Sequence, residues 1–187
     1  MVDNNEVEVV NIAASGEINA EVDIEQLAKD CDLPVSNFDP EFNAAFLRFE
    51  EEGELVILYR TGKYILRGGD DFDKMHDVNQ QFLDFLSSKG INVSDPVFEI
   101  KNVVCVGDLE QSVNLNHLVI HLGLENTEYE PEQFPGLVYR PGYSRCVLLI
   151  FASGKVVITG GRSKEDDESA FSTLFDELDI ERNNQQG

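Results

Sequence analysis

The chain has 187 residues, 36 of them acidic and 14 basic, for a formal net charge of −22 and a pI of about 4.2. This length suits one ordinary domain or two small ones with room for a core, and at 42% hydrophobic residues the chain is too apolar to be a disordered acidic polymer. Its apolar runs fall short of the roughly 18 residues of a membrane span, and its charged first ten residues are no signal peptide, so a soluble cytoplasmic protein with no membrane partner is expected. Cys31, Cys105 and Cys146 are odd in number and widely spaced, which predicts reduced thiols rather than a disulfide framework or a zinc knuckle. Taken whole, the acidity argues against nucleic acid, whose phosphates call for Lys and Arg. It fits adaptation to a salty cytoplasm, where dense surface carboxylates keep a protein soluble.

In chain order, a β-rich start at 7–14 precedes a short helix with apolar spacing at Ile24, Leu27 and Ala28. Strands are predicted at 44–49, 55–59 and 63–67, joined by the turn signals EEEG and TG. A long helix over 71–88 then carries Met75, Val78, Phe82, Leu83, Phe85 and Leu86 and stops at Lys89-Gly90. After a linker at 92–95, followed by Pro96, the same series returns. It runs through a β-rich start at 98–106, a helix around Leu115, Leu118 and Val119, strands at 137–140, 146–151 and 155–159, and a helix over 163–178.

The second series is a copy of the first. VEVVNIAASG (7–16) aligns with FEIKNVVCVG (98–107), pairing Glu8 with Glu99, Asn11 with Asn102 and Gly16 with Gly107. After one inserted residue, Gln133, Phe42 pairs with Phe134, Arg48 with Arg140, Tyr59 with Phe151, Gly62-Lys63 with Gly154-Lys155, and Gly68-Gly69 with Gly160-Gly161. A period near 90 residues is too long for a solenoid unit and implies an internal duplication with pseudo-two-fold symmetry. Repeat 1 is placed at 6–91 and repeat 2 at 96–180, with flexible tails at 1–5 and 181–187. In each repeat two helices must cover one sheet face, leaving the other bare.

Charge is distributed unevenly along the chain. The 29 residues from Phe134 to Arg162 contain no Asp or Glu but keep Arg140, Arg145, Lys155 and Arg162. In Phe42–Gly69 the acids are Glu50, Glu51, Glu52 and Glu54, all assigned to one turn, while the strands carry Arg48, Arg60, Lys63 and Arg67. Interior strands exclude charge in any case, but that explains missing acids better than retained basics. The pattern points to a bare face whose partner is a polyanion.

With the duplicated Asn-containing first strand, YEPEQFPGLVYR (129–140) and LLIFASGKVVITGG (148–161) closely resemble the TATA-box-binding protein family in its archaeal form. The resemblance covers about residues 6–180. It implies an α+β fold in which two pseudo-symmetric repeats form a saddle-shaped, curved ten-stranded antiparallel sheet with four helices on the convex face. It also implies DNA bound in the minor groove and kinked by inserted aromatic wedges, behaviour for which this family is itself a standard example. By motif position the wedges are Phe42 and Tyr59 in repeat 1 and Phe134 and Phe151 in repeat 2. Asn11 and Asn102 would offer amide donors to Ade N3 and Thy O2. Ala13, Ile65, Val104 and Val157 would press on the groove floor, Thr159 would contact it through a hydroxyl, and Arg48, Lys63, Arg140 and Lys155 would meet phosphates. Glu130, Glu132 and Gln133 match the loop offered to transcription factor B, through which RNA polymerase would be recruited indirectly.

Repeat 1 departs from the family pattern. It has Phe-Asn-Ala at 42–44 where repeat 2 has Phe-Pro-Gly, Tyr59 for a phenylalanine, Arg67 for a threonine, and Asp70-Asp71 where a basic residue is usual. Its net charge is −14 (7 basic, 21 acidic through Asp95) against −8 (7 basic, 15 acidic) for repeat 2. Catalysis is not expected. HLVIH, with His117 and His121, lacks the glutamate of a zinc protease motif, and SGKVV lacks the spacing of a phosphate-binding loop. No metal or cofactor is expected. The function read from the sequence is a general transcription initiation factor acting on a TATA-box promoter in the cytoplasm, associated with the nucleoid. The alternatives are a paralogue that sequesters transcription factor B with little DNA binding, and a small-ligand binder. A homodimer off DNA is a further expectation.

Overall fold

The computed structural model describes residues 6–178. The tails expected at 1–5 and 181–187, and the last two residues assigned to repeat 2, lie outside the described residues. The elements are β1 (Glu8–Glu17), α1 (Ile24–Asp30), β2 (Val35–Asp39), β3 (Ala44–Arg48), β4 (Leu55–Tyr59), β5 (Lys63–Gly69), α2 (Phe72–Ser88), β6 (Val97–Asp108), α3 (Leu115–Leu122), β7 (Thr127–Glu128), β8 (Leu137–Tyr139), β9 (Val147–Ile150), β10 (Lys155–Gly161) and α4 (Lys164–Glu177). The strands form an antiparallel ten-stranded sheet in the order β2-β3-β4-β5-β1-β6-β10-β9-β8-β7. Two of them, β2 and β7, were not legible as alternating strands. VSNFD has no clear apolar alternation, and β7 has only two residues.

The chain divides into two compact units, one of residues 11–101 and the other of 102–178 with 6–10. Each unit therefore takes a piece of the other repeat's opening strand: 97–101 of β6 belong to the first unit, and 8–10 of β1 to the second.

In the first unit α1 packs on β2 and β3, and α2 on β5. The strands show the period of two that a one-sided sheet requires. Along β5, Tyr64 and Leu66 are buried, whereas Lys63 and Arg67 are exposed and Ile65 is half-buried. The helix-facing core gathers Ala14, Ala45, Leu47, Val56, Leu58, Tyr64, Leu66, Met75, Phe82 and Leu86, all within 1% of full burial. Each large member contributes about 1.5–3 kcal/mol through area removed from water. Capping fixes where the helices begin. Asp71 accepts from Lys74 N at 2.8 Å to start α2, and Ser163, its counterpart, accepts from Asp166 N at 3.2 Å to start α4. Asp71, in the pair that stands where a basic residue is usual, thus serves as the cap of α2.

In the second unit α3 lies against β7 and β8, and α4 against β10. Its core uses Val103, Cys105, Leu137, Leu148, Ile150, Val156, Ile158, Phe171 and Leu174.

The paired glycines of the duplication have a structural cause. A Cβ on Gly16 would overlap the Tyr64 ring, and one on Gly107 would lie 2.5 Å from Phe171 Cζ. Both glycines seat an aromatic ring, but the rings come from different elements. Tyr64 is on β5, with Asn79 of α2 accepting from its hydroxyl at 2.6 Å. The position matching Tyr64 is Val156, and the position matching Asn79 is Phe171. Strand ring plus helix amide in one repeat is exchanged for strand valine plus helix ring in the other, which conserves the filled volume.

Candidate nucleic-acid interface

The face away from the helices is read from the strand registers. In the first unit Ala13 stands opposite Arg67, and Arg67 opposite Leu55; Ser15 stands opposite Ile65, and Ile65 opposite Ile57; Glu17 stands opposite Lys63. Ala44 faces Tyr59, and Phe46 faces Ile57. In the second unit Val104 faces Thr159, and Thr159 faces Val147; Val106 faces Val157, and Val157 faces Leu149; Asp108 faces Lys155. The expected floor residues Ala13, Ile65, Val104, Val157 and Thr159 therefore lie on the open faces, joined by Leu55, Ile57, Val147 and Leu149. These four had no counterpart in the sequence reading, although their spacing along β4 and β9 puts them on this side.

The open face is not free of acids, contrary to the charge pattern. Glu17 and Asp108, at matching places in the two repeats, point to it beside Lys63 and Lys155. Lys155 Nζ lies 2.9 Å from Asp108 Oδ2, and this bond holds the Asp108 carboxyl below its usual value. The four-acid turn in repeat 1 also needs correction. Glu54 is only 6% exposed and pairs with Lys74 Nζ at 2.9 Å, so it belongs to the helix side of the sheet, and the bond raises the lysine's pKa.

The two candidate wedge pairs differ. Phe134 and Phe151 meet edge to face with centroids 5.7 Å apart. They pack over Gly136, where a Cβ would lie 2.7 Å from Phe134 and 3.1 Å from Phe151. In repeat 1 the matching position is Ala44, whose methyl fills that space. Asn43 there adopts φ +49°, in the left-handed region closed to Pro135, its counterpart. Phe42 accordingly turns to Phe46, at 6.4 Å, and is 67% exposed against 36% for Phe134. A cavity of about 620 Å³ opens beside it, bordered by Tyr59, Lys63, Ile65, Val97 and Lys101 among others.

Asn102 is fixed by its own strand neighbours. Its Oδ1 accepts from Gly160 N at 2.8 Å and from the Thr159 hydroxyl at 3.3 Å. With the oxygen so engaged, the Nδ2 donors are left for an external acceptor. Asn11 occupies the same place in β1 and is half-buried.

Of the expected phosphate-contacting cations, Arg48 donates to Gly53 O at 2.6 Å, Arg140 lies 3.9 Å from Glu128, and Lys155 pairs with Asp108. Exposed pairs of this kind contribute only about 0–1 kcal/mol and exchange readily for another anion. Lys63 is exposed at the start of β5, in register with Glu17. Glu130, Glu132 and Gln133 are exposed in the loop between β7 and β8. Gln133 N and Phe134 N both donate to Glu130 O, at 2.9 and 3.0 Å, and the Gln133 amide donates to the Glu130 carboxylate at 2.5 Å. One turn therefore holds the acidic loop and the Phe134 ring together.

Elsewhere, His121 Nε2 lies 2.6 Å from Glu177 O at the end of α4. Among the described residues no group of His, Cys, Asp and Glu side chains forms a metal site, and no helix is long and apolar enough to cross a membrane.

Comparison with known proteins adds three findings. The family model described as "Transcription factor TFIID (or TATA-binding protein, TBP)" matches twice, at residues 6–89 and 97–179. TATA-box-binding protein C of Halobacterium salinarum is 47% identical over 168 residues, covering 88% of this chain and 93% of that one, and TATA-box-binding protein 2 of Haloferax volcanii is 41% identical over 175, covering 92% and 93%. The solved structure of Methanococcus jannaschii TBP superposes with a TM-score of 0.81 at 35% identity, over 93% of this chain and 98% of that one.

Proposed function

The chain belongs to the TATA-binding protein family of non-enzymatic general transcription factors, and from that premise we propose that it binds the minor groove of a TATA element and kinks it. On this reading it recruits transcription factor B, and through it RNA polymerase, and works in the cytoplasm on nucleoid DNA. The observation that carries the reading is the fixed amide of Asn102 beside an apolar strip ending in the Phe134–Phe151 pair. A·T and T·A pairs show only acceptors on the minor-groove floor, whereas G·C adds a protruding amino donor. An outward Nδ2 donor suits the first, and along Val106, Val157 and Leu149 the guanine amino group of the second finds no acceptor, whereas Thr159, between Val104 and Val147, offers one. Aromatic rings at the ends of the strip would enter base steps, unstack them and bend the duplex. Phe42, Tyr59, Asn11, Ala13 and Ile65 would do the same in repeat 1. Arg48, Lys63, Arg140 and Lys155 would hold phosphates, and Thr159 would add a floor contact.

Glu130, Glu132 and Gln133, exposed and held by the turn that ends in Phe134, would present acids to a basic surface on transcription factor B. The acidic exterior implies an unusual salt response. Where phosphate contacts displace bound cations, affinity falls as salt rises. Here Asp108 and Glu128 already engage two of the cations, and added salt weakens those internal pairs as well. Mobility shift of a TATA duplex with and without transcription factor B, in molar potassium chloride, tests the function. A shift that grows with transcription factor B is expected; no TATA binding at any salt overturns it. The splayed Phe42 and the −14 charge of repeat 1 favour a second reading, a paralogue that sequesters transcription factor B. Capture of that factor without DNA would select it.

A further inference from the structure

The two repeats place different chemistry at one matched point of the open face. In repeat 2 the residue is Thr159, between Val104 and Val147. In repeat 1 it is Arg67, between Ala13 and Leu55. Arg67 is exposed on β5, an interior strand of the sheet order, and among the described residues it has no ion-pair partner. Its neighbour Ala13 is smaller than Val104, which leaves room for a guanidinium to lie along the strip. The cations suited to phosphates sit elsewhere: Arg48 on β3, and Lys63 beside the β4–β5 turn.

Donor and acceptor counts distinguish the two side chains. The Thr159 hydroxyl donates its proton to Asn102 Oδ1 at 3.3 Å, so what it offers outward is lone pairs, which can accept from a guanine amino group. A guanidinium has five N–H donors and no acceptor. It matches the all-acceptor floor of A·T and T·A pairs and opposes the guanine amino group donor to donor.

Resting on the minor-groove reading above, we propose that Arg67 is a specificity-determining residue that excludes G·C from the half-site under repeat 1, while Thr159 tolerates it in the other. The protein then has a stringent half and a permissive half, and a site with one G·C pair is bound in the orientation that puts that pair under Thr159.

The test uses the full-length chain and four duplexes: a symmetric TATA site, the same site with G·C in either half, and one with G·C in both. Wild type is expected to bind the two singly substituted duplexes nearly as well as the parent and the doubly substituted one about 10-fold or more weaker, the range for one unfavourable base pair. Arg67→Thr should bind all four within a few-fold. Thr159→Arg should lose about 10-fold on either single substitution, because no permissive half remains. Equal losses for wild type and Arg67→Thr on the doubly substituted duplex overturn the proposal. So does a uniform weakening by Arg67→Thr with a salt slope reduced by about one, the signature of a phosphate contact. Failure of wild type to bind the unsubstituted duplex instead overturns the functional reading, and this proposal with it.

Discussion

The two wedge pairs show how one duplicated motif can hold its residues yet lose its geometry. In repeat 2, Phe-Pro-Gly lets Phe134 fold over Gly136 onto Phe151. In repeat 1, Phe-Asn-Ala keeps the phenylalanine, but the Ala44 methyl takes the ring's seat and Asn43 turns the chain left-handed, sending Phe42 to Phe46. Tyr59 adds a hydroxyl that resists burial in a dry base step. Two small changes beside the wedge therefore alter it more than any change of the wedge itself.

The largest expected effect breaks this comparison directly. Phe134→Ala with Phe151→Ala should remove most of the bend of a TATA duplex, read by energy transfer between end labels, leaving only what repeat 1 gives, and cost about 2–6 kcal/mol of binding at the stacking contribution of about 1–3 kcal/mol per ring. Phe42→Ala with Tyr59→Ala should leave a measurable bend; equal losses would mean the splayed pair re-forms on DNA. Next, Tyr64→Phe should destabilise the fold by about 1–3 kcal/mol in chemical denaturation, because Asn79 Oδ1 then loses its buried donor. The matched change Val156→Ala orphans no polar partner, and its cost, about 1–3 kcal/mol, comes instead from the cavity left by two buried methyl groups.

Gly136→Ala should cost about 1–3 kcal/mol of ring packing and lower the bend toward what repeat 1 alone gives, whereas Ala44→Gly should raise it. The smallest effect concerns a second exchange between the repeats. Buried Met75 and Glu54 of repeat 1 correspond to Asp167 and Cys146 of repeat 2. Asp167 is fully buried, Cys146 Sγ lies 3.4 Å from its Oδ1, and among the described residues its Oδ2 has no hydrogen-bond partner. Burial raises its pKa, and the cysteine bonds only partly oppose this; burial likewise pushes the Cys146 thiol up to about 11. A carboxyl whose folded pKa lies above its unfolded one binds more protons folded than unfolded. Its contribution is therefore largest below the ordinary carboxylate range and is lost as pH climbs toward the raised value. Asp167→Asn should flatten that decline in thermal melts across mildly acid pH, and an unchanged profile would place the ionised form in the fold.

The sequence by itself determined the duplication, the four helices, most of the strands and the family. Those depend on periodicities and motifs that survive in the order of residues: Gly16 and Gly107, Asn11 and Asn102, and the ring positions 42, 59, 134 and 151 recur at fixed offsets. It did not separate exposed acids from buried ones in the run 50–54, because Glu54 and its neighbours look alike until α2 brings Lys74 to it. Nor did it place Glu17 and Asp108 on the open face, since strand alternation, not local charge, decides which side a residue takes. The orientation of Asn102, the splaying of Phe42 and the isolation of Arg67 among apolar neighbours were decided only by tertiary structure. Each depends on residues far apart in the chain, or on a methyl group present at Ala44 and missing at Gly136, whose effect exists only once the strands are side by side.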